Sequence, residues 1–231
     1  MGLRNLTTLE TTSFIEATFS PLRETIDSLW GTLGLGTPQG AKLRRIAFLS
    51  PRSGDGTTTL AACAAIGLSR HLGDETLLVE ANPSSPRLAA YFKLPSTPGF
   101  AELVGERCTP EEAVRATELP RLSAIVAGNI KNMPAGSLAG PSFDARLDQA
   151  CAKFERVIFD LPALFDRAEA RTLLWKVDAA VLVLRSGHTS SEAAELALQQ
   201  VRACGIPVIG TVLNRHASEV PRWLRGEAAL T

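Results

Sequence analysis

Tyrosine is almost missing from this chain: Tyr91 is the only one among 231 residues. Cysteine is scarce as well. Cys63, Cys108, Cys151 and Cys204 are widely scattered, and no two have the close spacing of a zinc knuckle, so they read as free core thiols. Neither charge is in excess. Lys plus Arg is 24 and Asp plus Glu is 24, a formal net charge of zero. That balance argues against a protein whose main affinity comes from neutralising nucleic-acid phosphates. No apolar run approaches the roughly 18 residues that a membrane span needs. The N-terminus, MGLRNLTTLETTSF, is broken by threonines and Glu10 before a signal-peptide core can form. These absences together predict a cytoplasmic protein. His71, His188 and His216 are scattered with no ligand-spaced partner, which makes them surface or helix-end residues and no metal site other than one for magnesium.

What is present is an ordinary globular composition, 45% apolar and 21% charged, at a length that suggests one domain with an appended arm. Short apolar runs recur between helix-length segments: Ile46 to Ser50, Thr76 to Glu80, Leu122 to Val126, Val157 to Asp160, Ala179 to Leu184 and Pro207 to Leu213. Runs apolar on both faces and separated by helices are what a covered parallel sheet produces. The expected fold class is therefore α/β: a three-layer, doubly wound, mostly parallel sheet. Thr57 to Arg70, rich in Ala, and Ser190 to Ala203, capped by Ser190 or Ser191, read as helices. In the first forty residues Phe19, Leu22, Ile26, Leu29 and Leu33 fall at spacings of three and four, an amphipathic helix running into GTLGLGTPQG. The expected organisation is an arm over 1–40, a domain over 41–216 and a tail over 217–231.

The segment IAFLSPRSGDGTTTLAACAAIGL is a strand, a loop with Gly54, Asp55 and Gly56, then Thr57, Thr58 and Thr59 opening a helix. Glycines let backbone N–H groups curl around a polyanion, and the helix start adds unpaired donors and its dipole. This is the layout of a phosphate-binding loop, usually glycine, four residues, then Gly-Lys-Ser/Thr. Gly56 keeps the second glycine, Thr57 takes the lysine position, and Thr58 keeps the hydroxyl that binds magnesium. The run VIFDLPA ends a strand in Asp160, beside the loop, where a carboxylate holds a magnesium water. GTVLNR places the amide of Asn214 at the sheet's carboxyl edge, where ligands of open α/β folds sit.

These residues resemble the cytoplasmic ATP-binding module of the bacterial tyrosine kinases of capsule and exopolysaccharide biosynthesis, P-loop relatives of the Mrp, MinD and ParA ATPases. The resemblance runs from about Pro21 to Arg215 and includes PLRETIDSLW, LLVEANPSSPRLAAYFKLPSTPGFAELV, RLSAIVAGNIKNMPAGSLAG, FERVIFDLPA and VDAAVLVLRSGHTSSEAAELALQQVRACGIPVIGTVLNR. It implies a P-loop NTPase topology and a site for ATP or ADP with magnesium. The nucleotide would lie on Arg52, Gly54, Asp55, Gly56, Thr57, Thr58, Thr59 and Asn214, with magnesium on Thr58 and Asp160. The chain departs from the family where the chemistry is done. Thr57 replaces the lysine, the two aspartates and arginine of the second motif become Glu80, Asn82 and Ser84, and the tyrosine-rich tail is missing. The oligomerising Glu-x-x-Arg-x-x-Arg pattern becomes Glu24, Asp27 and Trp30.

Asp160 and Glu80 are left as the catalytic candidates, and weak or absent phosphoryl transfer is expected. Arg52 occupies the position of the MinD and ParA signature lysine and is a candidate for the missing charge, with Lys42, Arg44 or Arg45 in support. Glu169 is expected to cap or line the nucleotide cleft and Asp178 to be structural. The short basic and aromatic stretch around Arg222, Trp223 and Arg225 suits a partner contact or a frayed end, and is brief for a membrane contact. The leading functional expectation is a degenerate family member that regulates a membrane polysaccharide co-polymerase from the cytoplasmic side of the membrane, with a homo-oligomer as an option and no nucleic-acid partner. The alternatives are an active Mg-ATP-dependent ATPase or protein-tyrosine kinase of the same pathway, and a ParA- or MinD-like positioning ATPase.

Overall fold

Ile46, Ala47, Phe48 and Leu49 are all fully buried, as a strand covered on both faces requires. A computed structural model describes residues 31, 37 and 40–215 apart from 84 and 135, and structural statements here refer to those. The proposed N-terminal helix, the C-terminal stretch, Ser84 and His216 lie outside the described residues.

The strands are β1 (Arg45–Leu49), β2 (Thr76–Glu80), β3 (Arg115–Ala116), β4 (Leu122–Ile125), β5 (Arg156–Asp160), β6 (Ala179–Arg185) and β7 (Val208–Asn214). They form one sheet in the order β3-β4-β2-β5-β1-β6-β7, parallel except for the short β3 against β4. Six of these strands were legible as apolar runs, and the expected α/β class holds. β3 was not: two residues carry no period.

Alternation along the strands sends side chains to two separate cores. Phe48, Leu78, Ile158 and Val181 face the helix α1 (Thr57–Gly67), which continues as a π-helical turn over Leu68–Leu72. Leu49, Val79, Phe159 and Leu182 face the other layer. There α3 (Phe100–Val104), α5 (Pro141–Cys151), α6 (Glu169–Leu174) and α7 (Ser191–Ala203) supply Phe100, Phe143, Leu173 and Val201. Phe100 and Phe143 meet edge to face, with centroids 5.8 Å apart at 88°. At about 1.5 to 3 kcal/mol per buried large side chain, the two cores supply the bulk of the folding drive. The short helices α2 (Leu88–Tyr91) and α4 (Pro110–Ala113) complete the element order. Ser190 caps α7 by accepting the Ala193 amide at 3.2 Å.

Connections leave β1 on both sides: β5 and then β2 lie one way, β6 and β7 the other. This reversal of winding opens a crevice at the carboxyl ends of the strands, above β1. The loop after β1 fills it. Asp178 is structural, as expected: its Oδ2 accepts the amides of Arg44 and Arg45 at 2.9 and 2.8 Å. All four cysteines are free, and burial pushes the Cys63 thiol up to about 12 and that of Cys151 to about 11.

Candidate functional site: an anion cradle after the first strand

Both glycines of the loop have left-handed backbone, φ 93° at Gly54 and 94° at Gly56, a region in which an L side chain is strained. Gly56 is constrained a second way, because a Cβ there would lie 2.1 Å from Asn214 Nδ2. The turn delivers the chain into α1, whose start no side chain caps. The first N–H groups of that helix have no intrahelical partner and carry the positive end of its dipole. A cavity of about 260 Å³ opens over them, with Gly54, Gly56, Thr57, Thr58 and Thr59 in its wall.

The loop is tethered on both flanks. On one side Leu164 N donates to Ser50 O at 2.9 Å, and Asp166 Oδ2 accepts from Ser53 N and Oγ at 2.9 and 2.6 Å. On the other, Asn214 Nδ2 donates to the Asp55 carbonyl at 2.8 Å. The Asp55 carboxylate, fully buried, meets His188 Nδ1 at 3.1 Å and accepts from Thr189 Oγ1 at 3.1 Å. His188 is exposed, as expected, and its Nδ1 also ties it to the loop.

The motif positions divide into three kinds. Thr57, in the lysine position, is buried, and its hydroxyl donates to Ser50 Oγ at 3.0 Å, which in turn donates to Arg52 O at 2.8 Å. That relay turns Thr57 inward. Thr58 and Asp160 keep the arrangement a magnesium site needs: Thr58 Oγ1 donates to Asp160 Oδ2 at 2.7 Å, and Asp160 Oδ1 is buried with no partner. Burial pushes the Asp160 carboxyl up to about 8; the Thr58 hydroxyl pulls it back and the neighbouring Glu80 pushes it further. The orphaned oxygen beside a threonine hydroxyl and an open helix start fits Mg²⁺ with a phosphate chain, less the lysine.

Glu80 serves a different purpose. Its Oε1 accepts the amides of Arg87 and Leu88, and its Oε2 accepts that of Ala127 at 2.9 Å. Burial raises its pKa, against the pull of those amides and of Arg87. The longer stem has made it a fully buried clamp between β2, α2 and the segment after β4, with both oxygens engaged by backbone amides.

Several expected site residues sit elsewhere. Asn214 spends its amide on Asp55 O and the Arg215 amide, so it buttresses the loop. Arg52 is exposed, and its charge acts on Asp166, holding that carboxyl low together with the stronger hydrogen bonds from Ser53. Arg44 and Arg45 stand at the opposite end of β1, on the Cys151 and Phe154 carbonyls and on Asp148, five residues of strand away from the loop. They cannot supply charge to it. Glu169 opens α6 and lines a separate, largely apolar cavity of about 450 Å³ with Ile130, Met133 and Leu138, not the crevice above β1. Sequence reasoning passed over Asn82's neighbour Ser85, and Arg87, Tyr91 and Arg215, all in the cradle wall. The one available hint was that Arg215 directly follows Asn214.

No protein-family profile matches the chain. By sequence it is similar to the tyrosine-protein kinase YwqD of Bacillus subtilis, 29% identical over 173 residues that cover 75% of this chain and 73% of that protein. It is also similar to the tyrosine-protein kinase CpsD of Streptococcus agalactiae, 24% identical, with 80% and 79% covered. With the succinoglycan biosynthesis transport protein ExoP of Rhizobium meliloti it shares 27% identity over 76% of this chain but only 23% of that longer protein. Among solved structures, the chimerical protein CapA2B2 superposes with a TM-score of 0.78 at 22% identity, covering 90% of this chain and 91% of that one. The kinase domain of Escherichia coli ETK gives 0.74 at 16% identity, with 90% and 83% covered. MinD of Pyrococcus horikoshii, solved with Mg-ADP, gives 0.66 at 19%, with 78% and 74% covered. The chain is thus a relative of the bacterial tyrosine-protein kinases of capsule and exopolysaccharide biosynthesis, with the fold of a MinD-type P-loop ATPase.

Proposed function

We propose that the chain is a nucleotide-binding regulatory partner of a membrane polysaccharide co-polymerase in exopolysaccharide or capsule biosynthesis, with phosphoryl transfer weak or lost. The observation that carries this reading is the contrast within one loop. The glycine turn, helix start and Thr58–Asp160 pair persist, while Thr57 is turned into a hydrogen-bond relay and Glu80 is consumed by backbone amides. The exopolysaccharide context comes from the relatives, one of them a succinoglycan biosynthesis transport protein. No helix among the described residues is long and apolar enough to cross a membrane, so association at the cytoplasmic face would run through the partner.

In this reading the amides of Gly54 to Thr58 receive the β-phosphate region of ATP or ADP, as donors at a helix start do. Thr58 and Asp160 would hold Mg²⁺, which neutralises phosphate charge when bound. Loss of one charge-assisted contact costs about 1.5 to 3 kcal/mol, roughly ten- to a hundredfold in affinity, which binding survives. Transfer suffers more, since Asn82 has no carboxylate to accept a proton and no lysine offsets the charge that builds in the transition state. A reading as an active ATPase or protein-tyrosine kinase of the same pathway draws on the retained Thr58–Asp160 pair. Calorimetric titration with Mg-ATP, run beside a turnover assay, separates the two. Binding without turnover supports the regulator, turnover abolished in Asp160→Ala supports the enzyme, and absence of binding ends both.

A further inference from the structure

The cradle carries a charge pattern that its motifs do not disclose. Its only charged wall residues, among those described, are Arg87 and Arg215. Asp160 lies below, fully buried under Thr58, and Arg52, which is exposed, is not part of the wall. Every charge on the cavity wall is therefore positive.

The two arginines come from opposite flanks of β1. Arg87 follows β2, on the β5 side, and Arg215 follows β7, on the β6 side. Both have anchored backbones. Buried Glu80 takes the Arg87 amide while its other oxygen holds Ala127, which fixes where Arg87 leaves the fold. Arg215 sits at φ 55°, and its amide donates at 2.8 Å to Asn214 Oδ1, the same side chain that holds Asp55. Fixing each Cα lowers the ordering cost of recruiting a long side chain. Guanidinium groups stay charged at any physiological pH and bind phosphate oxygens in pairs.

Resting on the nucleotide reading above, we propose that Arg87 and Arg215 form a two-sided clamp on the polyphosphate chain of a nucleoside triphosphate and replace the charge that Thr57 lacks. The floor of the clamp is the helix start of α1, eleven residues long. A second mark of a ligand site is the buried, unpartnered Oδ1 of Asp160 beside it. A lysine at position 57 rises from within the loop, whereas these cations reach in from the rims, an arrangement suited to retention of the anion more than to its transfer.

The test uses the full chain and two probes, Mg-ATP and inorganic triphosphate. Arg87→Ala and Arg215→Ala should each weaken triphosphate and ATP binding by about ten- to a hundredfold with thermal melting unchanged. Each should also flatten the salt dependence of binding, and Arg87→Lys should recover part of the loss. Wild-type affinity for triphosphate in both alanine variants overturns the clamp. If ATP binds those variants as it binds the wild-type chain, the nucleotide reading stands and the clamp falls. If the wild-type chain binds triphosphate but not ATP, and the variants lose triphosphate, the arginines hold an inorganic polyphosphate, and the nucleotide reading falls together with the clamp as a nucleotide device. If neither probe binds the wild-type chain, both fall.

Discussion

Thr58 Oγ1 donates to Asp160 Oδ2 at 2.7 Å and leaves Oδ1 of the same carboxylate buried and unpartnered. A carboxylate so placed is a burden on the fold: ionising it without water costs more than a single hydroxyl returns.

Asp160→Asn should therefore stabilise the protein. The wild-type group has its pKa raised from 3.8 to about 8, so the stability linked to its proton is complete below the unfolded value and is lost as pH rises through the folded one. Asparagine does not titrate. The variant's advantage should be small at pH 4 and reach about 1 to 3 kcal/mol by pH 8. Urea unfolding at both values checks this, and a difference that does not change with pH would refute the burial argument.

Restoring the family's residue at Glu80 should do harm. Aspartate is one methylene shorter and cannot span the amides of Arg87, Leu88 and Ala127 together. Glu80→Asp should cost about 1 to 3 kcal/mol, the penalty of stranded buried amides, and Glu80→Ala more. Denaturant midpoints measure both; a stable Glu80→Asp variant would show that the clamp is dispensable.

Thr57→Lys tests what the missing lysine withholds. Breaking the bond to Ser50 Oγ is a modest loss, and the new ammonium should raise Mg-ATP affinity about tenfold. Phosphotyrosine should still not accumulate, because Asn82 remains. The readout is clean, since Tyr91 is the sole tyrosine.

The Gly56–Asn214 contact can be dissected by a double-mutant cycle. Gly56→Ala would place a Cβ 2.1 Å from Asn214 Nδ2 and force it to φ 94°, so a loss of about 2 to 4 kcal/mol is expected. In an Asn214→Ala background the collision is gone and only the backbone strain remains, so the second loss should be smaller. Equal losses in both backgrounds would mean that Asn214 does not brace the turn.

The fold was legible where the period is strong. Parallel strands buried on both faces read as continuous apolar runs, and Thr76 to Glu80 matches β2 residue for residue. The cradle was legible too, because glycine spacing and a helix start are local. What escaped was long-range. Nothing in the sequence near Glu80 announces that its carboxylate closes on Ala127, and Asn214 reads as a ligand residue until Asp55 is placed beside it. Arg44 and Arg45 are near the loop in sequence but five residues of strand carry them to the far end of the sheet. Charge near a motif in sequence is not charge near it in space.

The tethering of the loop by Asp166, Asn214 and the Asp55–His188 pair has one more consequence. A receptor whose mouth is already shaped spends little of a ligand's affinity on ordering, but by the same token it changes little on filling. Any message about occupancy sent to another protein must then start from what the ligand itself presents at the rim, not from a rearrangement of the turn that receives it.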